Sequence, residues 1–296
     1  MTKNRAIAEL IFAGALWGFG FIATRWAQDS FSTTWVLVLR FFIAFLIGES
    51  ASLVFTRSLG NLRLLKLALC GGALLGSYMW LQTLGLEYTT VAKSGFLTCV
   101  YILFIPVILF FLHRHKSDLR MWLNLVLALI GAYYLMDGPL SGWNKGDLLT
   151  LGCALVAAFH IIWIGQVAPK IDNAFRFNNY QSLVAGFILM PLILLPGEQR
   201  VNWPPTGLAM TGIFCIAAGS SVIAFYIQVR AQRYIQATTA SMLFLLEAPF
   251  ALLFGWLFLQ ESISGGQALG AGLIILASLR QSLLEQTSPT TQSSPQ

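Results

Sequence analysis

YMWLQTLGLEY, residues 78–88, recurs 146 positions later as AFYIQVRAQRY, residues 224–234, and this recurrence decides the fold. Trp80 meets Tyr226, Gln82 meets Gln228 and Tyr88 meets Tyr234. Downstream, SGFLTCVYILFIP (94–106) aligns with ATTASMLFLLEAP (237–249) at a spacing of 143. There Thr98 meets Ser241, Tyr101 meets Phe244 and Pro106 meets Pro249. Ala15-Leu16 and Ala154-Leu155 give a third match at a spacing of 139. Spacings that differ by a few residues are what loop insertions produce, and the shared order of the matches marks a duplicated chain.

Outward from that stretch, apolar runs bounded by charge, Gly or Pro fall near 7–26, 35–55, 64–85, 91–112, 119–136, 147–166, 179–195, 207–230, 238–259 and 266–284. The chain of 296 residues is 57% hydrophobic and 10% charged, with a mean hydropathy of +0.72. Soluble domains carry roughly 25% charged residues, so a water-facing surface of the usual kind is excluded. Each membrane crossing needs roughly 20 apolar residues, which leaves room for ten helices and little else. The expected fold is an all-α membrane protein of ten transmembrane helices in two five-helix repeats, 1–140 and 141–285. The polar tail 286–296 (QTSPTTQSSPQ) is too poor in apolar residues to pack and is expected to be disordered. Five crossings per half is an odd number, so the second half is inverted relative to the first. Inverted repeats give two near-equivalent states, each open to one side, with a site where the repeats meet. That favours a transporter over a receptor or an enzyme.

Basic residues sort by loop. Lys3, Arg5, Arg57, Arg63, Lys66, Arg114, Lys116, Arg120, Lys170, Arg176, Arg230, Arg233 and Arg280 fall on one side, thirteen in all. Arg25, Lys93, Lys145 and Arg200 fall on the other, and Arg40 lies within a span. The positive-inside bias puts both termini in the cytoplasm of a plasma membrane, the inner membrane if the source is bacterial. It also accounts for the net charge of +6 without nucleic acid as a partner. The cluster HRHKSDLR (113–120) is basic enough to meet anionic headgroups. Lys3 and Arg5 ahead of an apolar run resemble a signal peptide, but the run continues past signal length and reads as the first span. Cys70, Cys99, Cys153 and Cys215 sit in separate apolar runs and read as small packing residues, neither a disulfide framework nor a metal site.

LWGFGFIATR (16–25), RFFIA (40–44), GLEYTTVAKSGFLTCVYILFIPVI (85–108) and LEAPFALLFGWLFLQESISGGQALGAGLIIL (246–276) resemble the drug/metabolite transporter superfamily, specifically its EamA-type members with two five-helix repeats. Glu247, Pro249, Glu261 and Gly270 fall at that family's pattern positions, whereas Asn124, the counterpart of Gly270, stands where many relatives carry Gly. The resemblance implies the two-repeat fold and an Arg at position 40. Relatives of this kind handle amino acids, other metabolites, nucleotide sugars and drugs, a range the scaffold does not narrow.

Small-xxx-small pairs at Gly14/Gly18, Gly72/Gly76 and Gly266/Gly270 mark helix contacts. Trp17, Phe21 and Thr24 share one helix face, with Val156, His160 and Trp163 as their repeat mates. If the repeats enclose a cavity, this face lines it together with Thr98 and Tyr101, and with their mates Ser241 and Phe244. Tyr78, Trp80 and Tyr226 of the duplicated stretch belong to the same expected substrate-binding set, and Gln82 and Gln228 are candidate polar elements of two gates. An aromatic stripe is as often packing or lipid contact, and a lone His such as His160 is more often packing than a ligand. Glu247 is the sharpest residue: a charge at mid-bilayer costs roughly 2.5–3.5 kcal/mol, so it must be protonated, paired or facing a wet cavity. Pro249 frees a carbonyl near Leu245 beside it. Arg40 either snorkels to the outer headgroups or attracts anions in an outer vestibule.

The expected function is secondary transport, in the direction of export, of small organic metabolites such as amino acids or similar amphipathic solutes, by alternating access. No cofactor is expected, a proton through Glu247 is a candidate coupling ion, and the partners are the solute and the bilayer. A passive uniporter or channel stays open as an alternative. An intramembrane enzyme would need a catalytic cluster, and the chain carries no HExxH, no GxSxG and no P-loop.

Overall fold

The computed structural model describes residues 1–56, 62–85, 87–89, 91–113, 118–137 and 142–287. Among the described residues, ten helices are long and apolar enough to span a membrane. They are α1 (Lys3–Gln28), α2 (Thr33–Val54), α3 (Leu62–Gly85), α4 (Lys93–Leu112), α5 (Leu119–Met136), α6 (Lys145–Lys170), α7 (Ala174–Leu194), α8 (Gly207–Ala231), α9 (Ala237–Leu259) and α10 (Gly265–Thr287). Among the described residues, extended backbone pairs only in an isolated bridge between Phe31 and Val201. The tail expected from Gln286 begins instead as the last turn of α10, and 288–296 lie outside the described residues, as do Arg57, Arg114 and Lys116 of the charge count.

The spans are helical because hydrocarbon offers no partner for backbone N–H and C=O groups, so each segment must bond to itself. Their outer faces are apolar: Val54, Phe111 and Leu194 are 71%, 79% and 76% exposed. Apolar surface of that extent belongs against lipid. Polar side chains mark the ends. The Thr2 hydroxyl accepts from the Arg5 N–H, and Asn144 and Asp147 form a reciprocal capping box at the start of α6.

The principal helix contacts return onto themselves when the two halves are exchanged. α5 packs on α10, and α2 on α7. The pair α3·α6 is matched by α8·α1, α3·α7 by α8·α2, and α4·α6 by α9·α1. With five spans in each half, the second half runs inverted. The fold is therefore two interlocked five-helix repeats, and its centre is an interface between them.

Glycines set the closest approaches. A Cβ at Gly18 would lie 2.7 Å from Phe250 Cβ and 2.8 Å from the Glu247 carbonyl, so α1 rests on the backbone of α9. One at Gly72 would lie 2.8 Å from the Gln181 carbonyl of α7. The Gly266/Gly270 pair divides: Gly270 packs directly against Gly131 of α5, whereas Gly266 has ordinary van der Waals room. Asn124, the repeat counterpart of Gly270, is buried, and its Nδ2 donates to Gln281 Oε1 of α10 at 3.1 Å. The α5–α10 seam thus closes through Gly131 and spends its larger side chain on a cross-helix hydrogen bond. Cysteines are free, Cys99 and Cys153 buried as expected of packing residues. Cys70 is exposed on the face of α3, which corrects that expectation for this residue.

Three irregularities bend helices toward the interface. α4 breaks at Val100, between Val91–Cys99 and Tyr101–His113, and its repeat mate α9 breaks at Leu245–Leu246, between Ala237–Phe244 and Glu247–Leu259. Pro249 brings no N–H to the Leu245 carbonyl, which accepts instead from the Ala248 N–H at 3.1 Å. In α8, residues Ile216–Ala224 wind as a wider π-helix. The turn leaves the Ser221 and Val222 carbonyls to accept from Asn178 Nδ2 of α7, at 2.9 and 3.3 Å.

Candidate functional site

The break in α9 puts Glu247 at the first turn of its second segment, against the glycine face of α1. Its carboxylate has no hydrogen-bond or ion-pair partner among the described residues. Tyr78, Tyr101, Cys99 and Cys153, from α3, α4 and α6, lie within electrostatic reach of it. Trp17 of α1 stands beside it in a ring cluster, 5.1 Å from Phe244 edge to face and 5.3 Å from Phe225. His160 of α6 is buried between Tyr78, at 5.5 Å, and Phe225, at 6.4 Å, with Nε2 3.2 Å from Gln181 Oε1 of α7. Tyr101 OH donates to the Ser241 carbonyl across the interface at 3.4 Å, and the Ser241 hydroxyl turns back to the Thr238 carbonyl at 2.7 Å. These expected site residues converge where the two halves meet.

Arg40 does not snorkel. It is 7% exposed, with Nε donating to Ser221 Oγ at 2.7 Å, Nη1 3.5 Å from Met79 Sδ and its guanidinium 5.5 Å from the Phe41 ring centre. The wide turn of α8 supplies that hydroxyl. No carboxylate pairs with Arg40 among the described residues, so a buried guanidinium and the half-buried Glu247 carboxylate both lie within electrostatic reach of Tyr78 without meeting each other. A charge pair would offset part of the cost of burial; here each charge is left for something else to answer.

The indoles share this property. Nε1 of Trp17, Trp80 and Trp163 is buried without a hydrogen-bond partner among the described residues. A buried unsatisfied donor costs about 1–3 kcal/mol. Trp80 packs with Tyr78 and Trp17 beside α2, whereas Trp163 lies with Tyr226 in a separate cluster toward the end that carries the chain termini. Tyr226 OH accepts from Arg230 Nη1 at 3.1 Å, and the guanidinium lies 4.9 Å from the Tyr226 ring centre. Phe21, though half-buried, makes no ring contact with this set. Gln82 Nε2 donates to Thr98 Oγ1 at 3.3 Å, and Gln228 Nε2 donates to Gln232 Oε1 at 3.0 Å, whose own amide donates to the Ile161 carbonyl at 2.9 Å. Gln82 therefore ties the α3–α4 hairpin, whereas Gln228 bonds within the end of α8 and reaches α6 only through Gln232.

The sequence did not single out the charge pairs at the two ends of the interface. Away from the termini, Lys93 Nζ lies 2.7 Å from Asp147 Oδ2, both buried, and Thr89 Oγ1 donates to Asp147 Oδ1 at 2.7 Å. This pair joins the α3–α4 hairpin to the first turn of α6. At the terminal end, Arg230 Nη2 lies 2.6 Å from Glu9 Oε1, which Arg5 Nε also meets at 3.1 Å. This one joins the end of α8 to α1. Each pair ties one of the repeat mates α1 and α6 to a neighbouring hairpin, but the paired residues do not align with each other: Lys93 falls opposite Gln236 and Arg230 opposite Leu84. Opposite charges in loops on the same side were the available signal, but they had served only as topology markers. Near the Lys93 end, burial pushes the Glu87 carboxyl above its ordinary range, and the neighbouring Glu198 pushes it further, against Thr33 and Arg200.

Comparison with known proteins follows the same division. A model of the EamA-like transporter family matches twice, over residues 4–136 and 144–280. An uncharacterized transporter of Archaeoglobus fulgidus is 30% identical over 278 residues, covering 93% of this chain and 84% of the relative. The uncharacterized transporter YoaV of Bacillus subtilis is 26% identical over 203 residues, covering 67% of this chain and 68% of its own length. A crystal structure 17% identical in sequence aligns with a TM-score of 0.78 over 96% of this chain and 98% of that one, a likeness of fold. Ten spanning helices, packed as two exchangeable halves and matched once in each, make this chain a multi-pass membrane transporter that belongs to the EamA-like transporter family.

Proposed function

We propose that this chain is a secondary transporter that exports small amphipathic organic solutes, amino acids or compounds like them, by alternating access. The observation that carries it is the uncompensated chemistry at the interface of the halves: the half-buried Glu247 carboxylate and the buried Arg40 guanidinium, neither in an ion pair among the described residues, and the unpartnered indole N–H groups of Trp17 and Trp80, set among aromatic rings. A solute with an apolar body and ionic or hydrogen-bonding groups would satisfy both parts of that lining. Tyr78, Tyr101, Phe244, Thr98, Ser241 and His160 complete the inner surface, and Phe21, Trp163, Tyr226, Gln82 and Gln228 flank it toward the two ends. The pairs Lys93–Asp147 and Arg230–Glu9, at opposite ends, act as latches, one per gate, each released as the other holds. The termini lie in the cytoplasm, and residues 1–140 and 141–285 are the moving halves.

Proton coupling would run through Glu247, whose charge is the one carboxylate at the α9 break. A passive uniporter is the second reading, favoured by nothing specific in the geometry. Counterflow in proteoliposomes distinguishes them from a pore. Internal unlabelled phenylalanine should accelerate saturable uptake of labelled phenylalanine or of another solute of this class. Non-saturating electrical conductance, or no exchange across a panel of amphipathic solutes, would refute the proposal.

A further inference from the structure

Away from the interface, a cavity of about 360 Å³ lies between the start of α3 and the end of α6, at the end that carries the termini. Leu62, Arg63, Lys66, Leu67 and Lys170 line it, so three of five lining side chains are cationic and none is acidic. A purely topological excess of positive charge has no reason to gather around one cavity. The walls there are apolar. From its mouth an exposed stripe runs along α3 through Leu62, Lys66, Leu69 and Cys70, spaced i, i+4, i+7 and i+8 on one helix face. Charge at the mouth and an apolar track beneath it, on a helix that faces lipid, is the complement of a molecule with an anionic head and a hydrocarbon tail.

We propose that this cavity binds the headgroup of an anionic phospholipid from the adjacent leaflet. The phosphate oxygens lie among Arg63, Lys66 and Lys170, and an acyl chain follows the α3 track. Cations at an anionic interface contribute about a fivefold preference each, and three together on the order of a hundredfold. The site is independent of which solute the interface carries and of whether transport is coupled.

Native mass spectrometry of the full chain, released from detergent doped with equal dioleoyl phosphatidylglycerol and dioleoyl phosphatidylcholine, tests it. Retained phosphatidylglycerol should exceed phosphatidylcholine by tens to a hundredfold. Lys66→Gln and Lys170→Gln should each cut that excess about fivefold, and adding Arg63→Gln should abolish it. Lys145→Gln, at the opposite end, should leave it intact. Lys66→Arg with Lys170→Arg should keep the preference, which separates loss of charge from loss of fold. Equal retention of the two lipids, or a preference that survives the triple substitution, would overturn the proposal. Displacement of phosphatidylglycerol by millimolar glycerol phosphate would also overturn it, since the site would then be one for a soluble phosphate ester.

Discussion

At the scale of single residues, the proposed coupling turns on Glu247. Its span could be read from sequence, and so could the helix break that Pro249 imposes beside it. Its isolation could not, because a missing counter-ion depends on which way four other helices present their side chains. Arg40 had two open readings from its position near the end of α2. The structure turns it inward because the wide turn of α8 offers the Ser221 hydroxyl, and no local pattern in IAAGSSVIA announces that winding. The unpartnered carboxylate yields a prediction with opposite signs on two measurements. Glu247→Gln removes a half-buried charge that no ion pair among the described residues offsets, so thermal unfolding in detergent should shift upward or stay level. Exchange of solute in proteoliposomes should fall at least tenfold, and a pH gradient should no longer drive it. A stable variant that retained gradient-driven exchange would remove Glu247 from the pathway.

Among the helices, the ten spans and their pairing into repeats were legible from apolar runs and the 78–88/224–234 match alone. Helix rotation was not. Three small-residue pairs looked equivalent in sequence, yet Gly18 and Gly72 touch neighbouring backbones while Gly266 has room. The α5–α10 seam passes through Gly131, which no paired glycine had flagged, because small residues repeat on more than one face of α10. These differences can be measured. Gly18→Ala drives a methyl into Phe250 and the Glu247 carbonyl and should cost about 1–3 kcal/mol, as overpacking does. Gly266→Ala should be neutral or stabilising by up to about 1 kcal/mol, since it gains only helix propensity. Chemical unfolding in the same detergent reads both. Equal effects at the two sites would mean that α1 does not rest on α9 as described.

The whole molecule is a pair of halves whose principal contacts survive their exchange, and its ends carry charge pairs, proposed above as latches, that differ in burial. Lys93–Asp147 is dry, with side chains 7% and 0% exposed, whereas Arg230–Glu9 is wetter at 30% and 15%. Breaking a buried pair leaves a charge uncompensated and costs several kcal/mol, more than an exposed pair contributes. Asp147→Asn should therefore disturb the gate more than Glu9→Gln. The repeat itself was legible in sequence, but the latches were not: Lys93 and Asp147 are far apart in the chain and meet only once α4 and α6 pack. The decisive measurement replaces the four native cysteines, installs Thr98→Cys or Ser241→Cys, and follows labelling by a membrane-impermeant maleimide from each side. Asp147→Asn should raise labelling of position 98 severalfold from the side opposite the termini and lower labelling of position 241 from the terminal side. Glu9→Gln should do the reverse. Labelling that rises at both positions together, or at neither, would contradict two halves that open by turns onto one shared site.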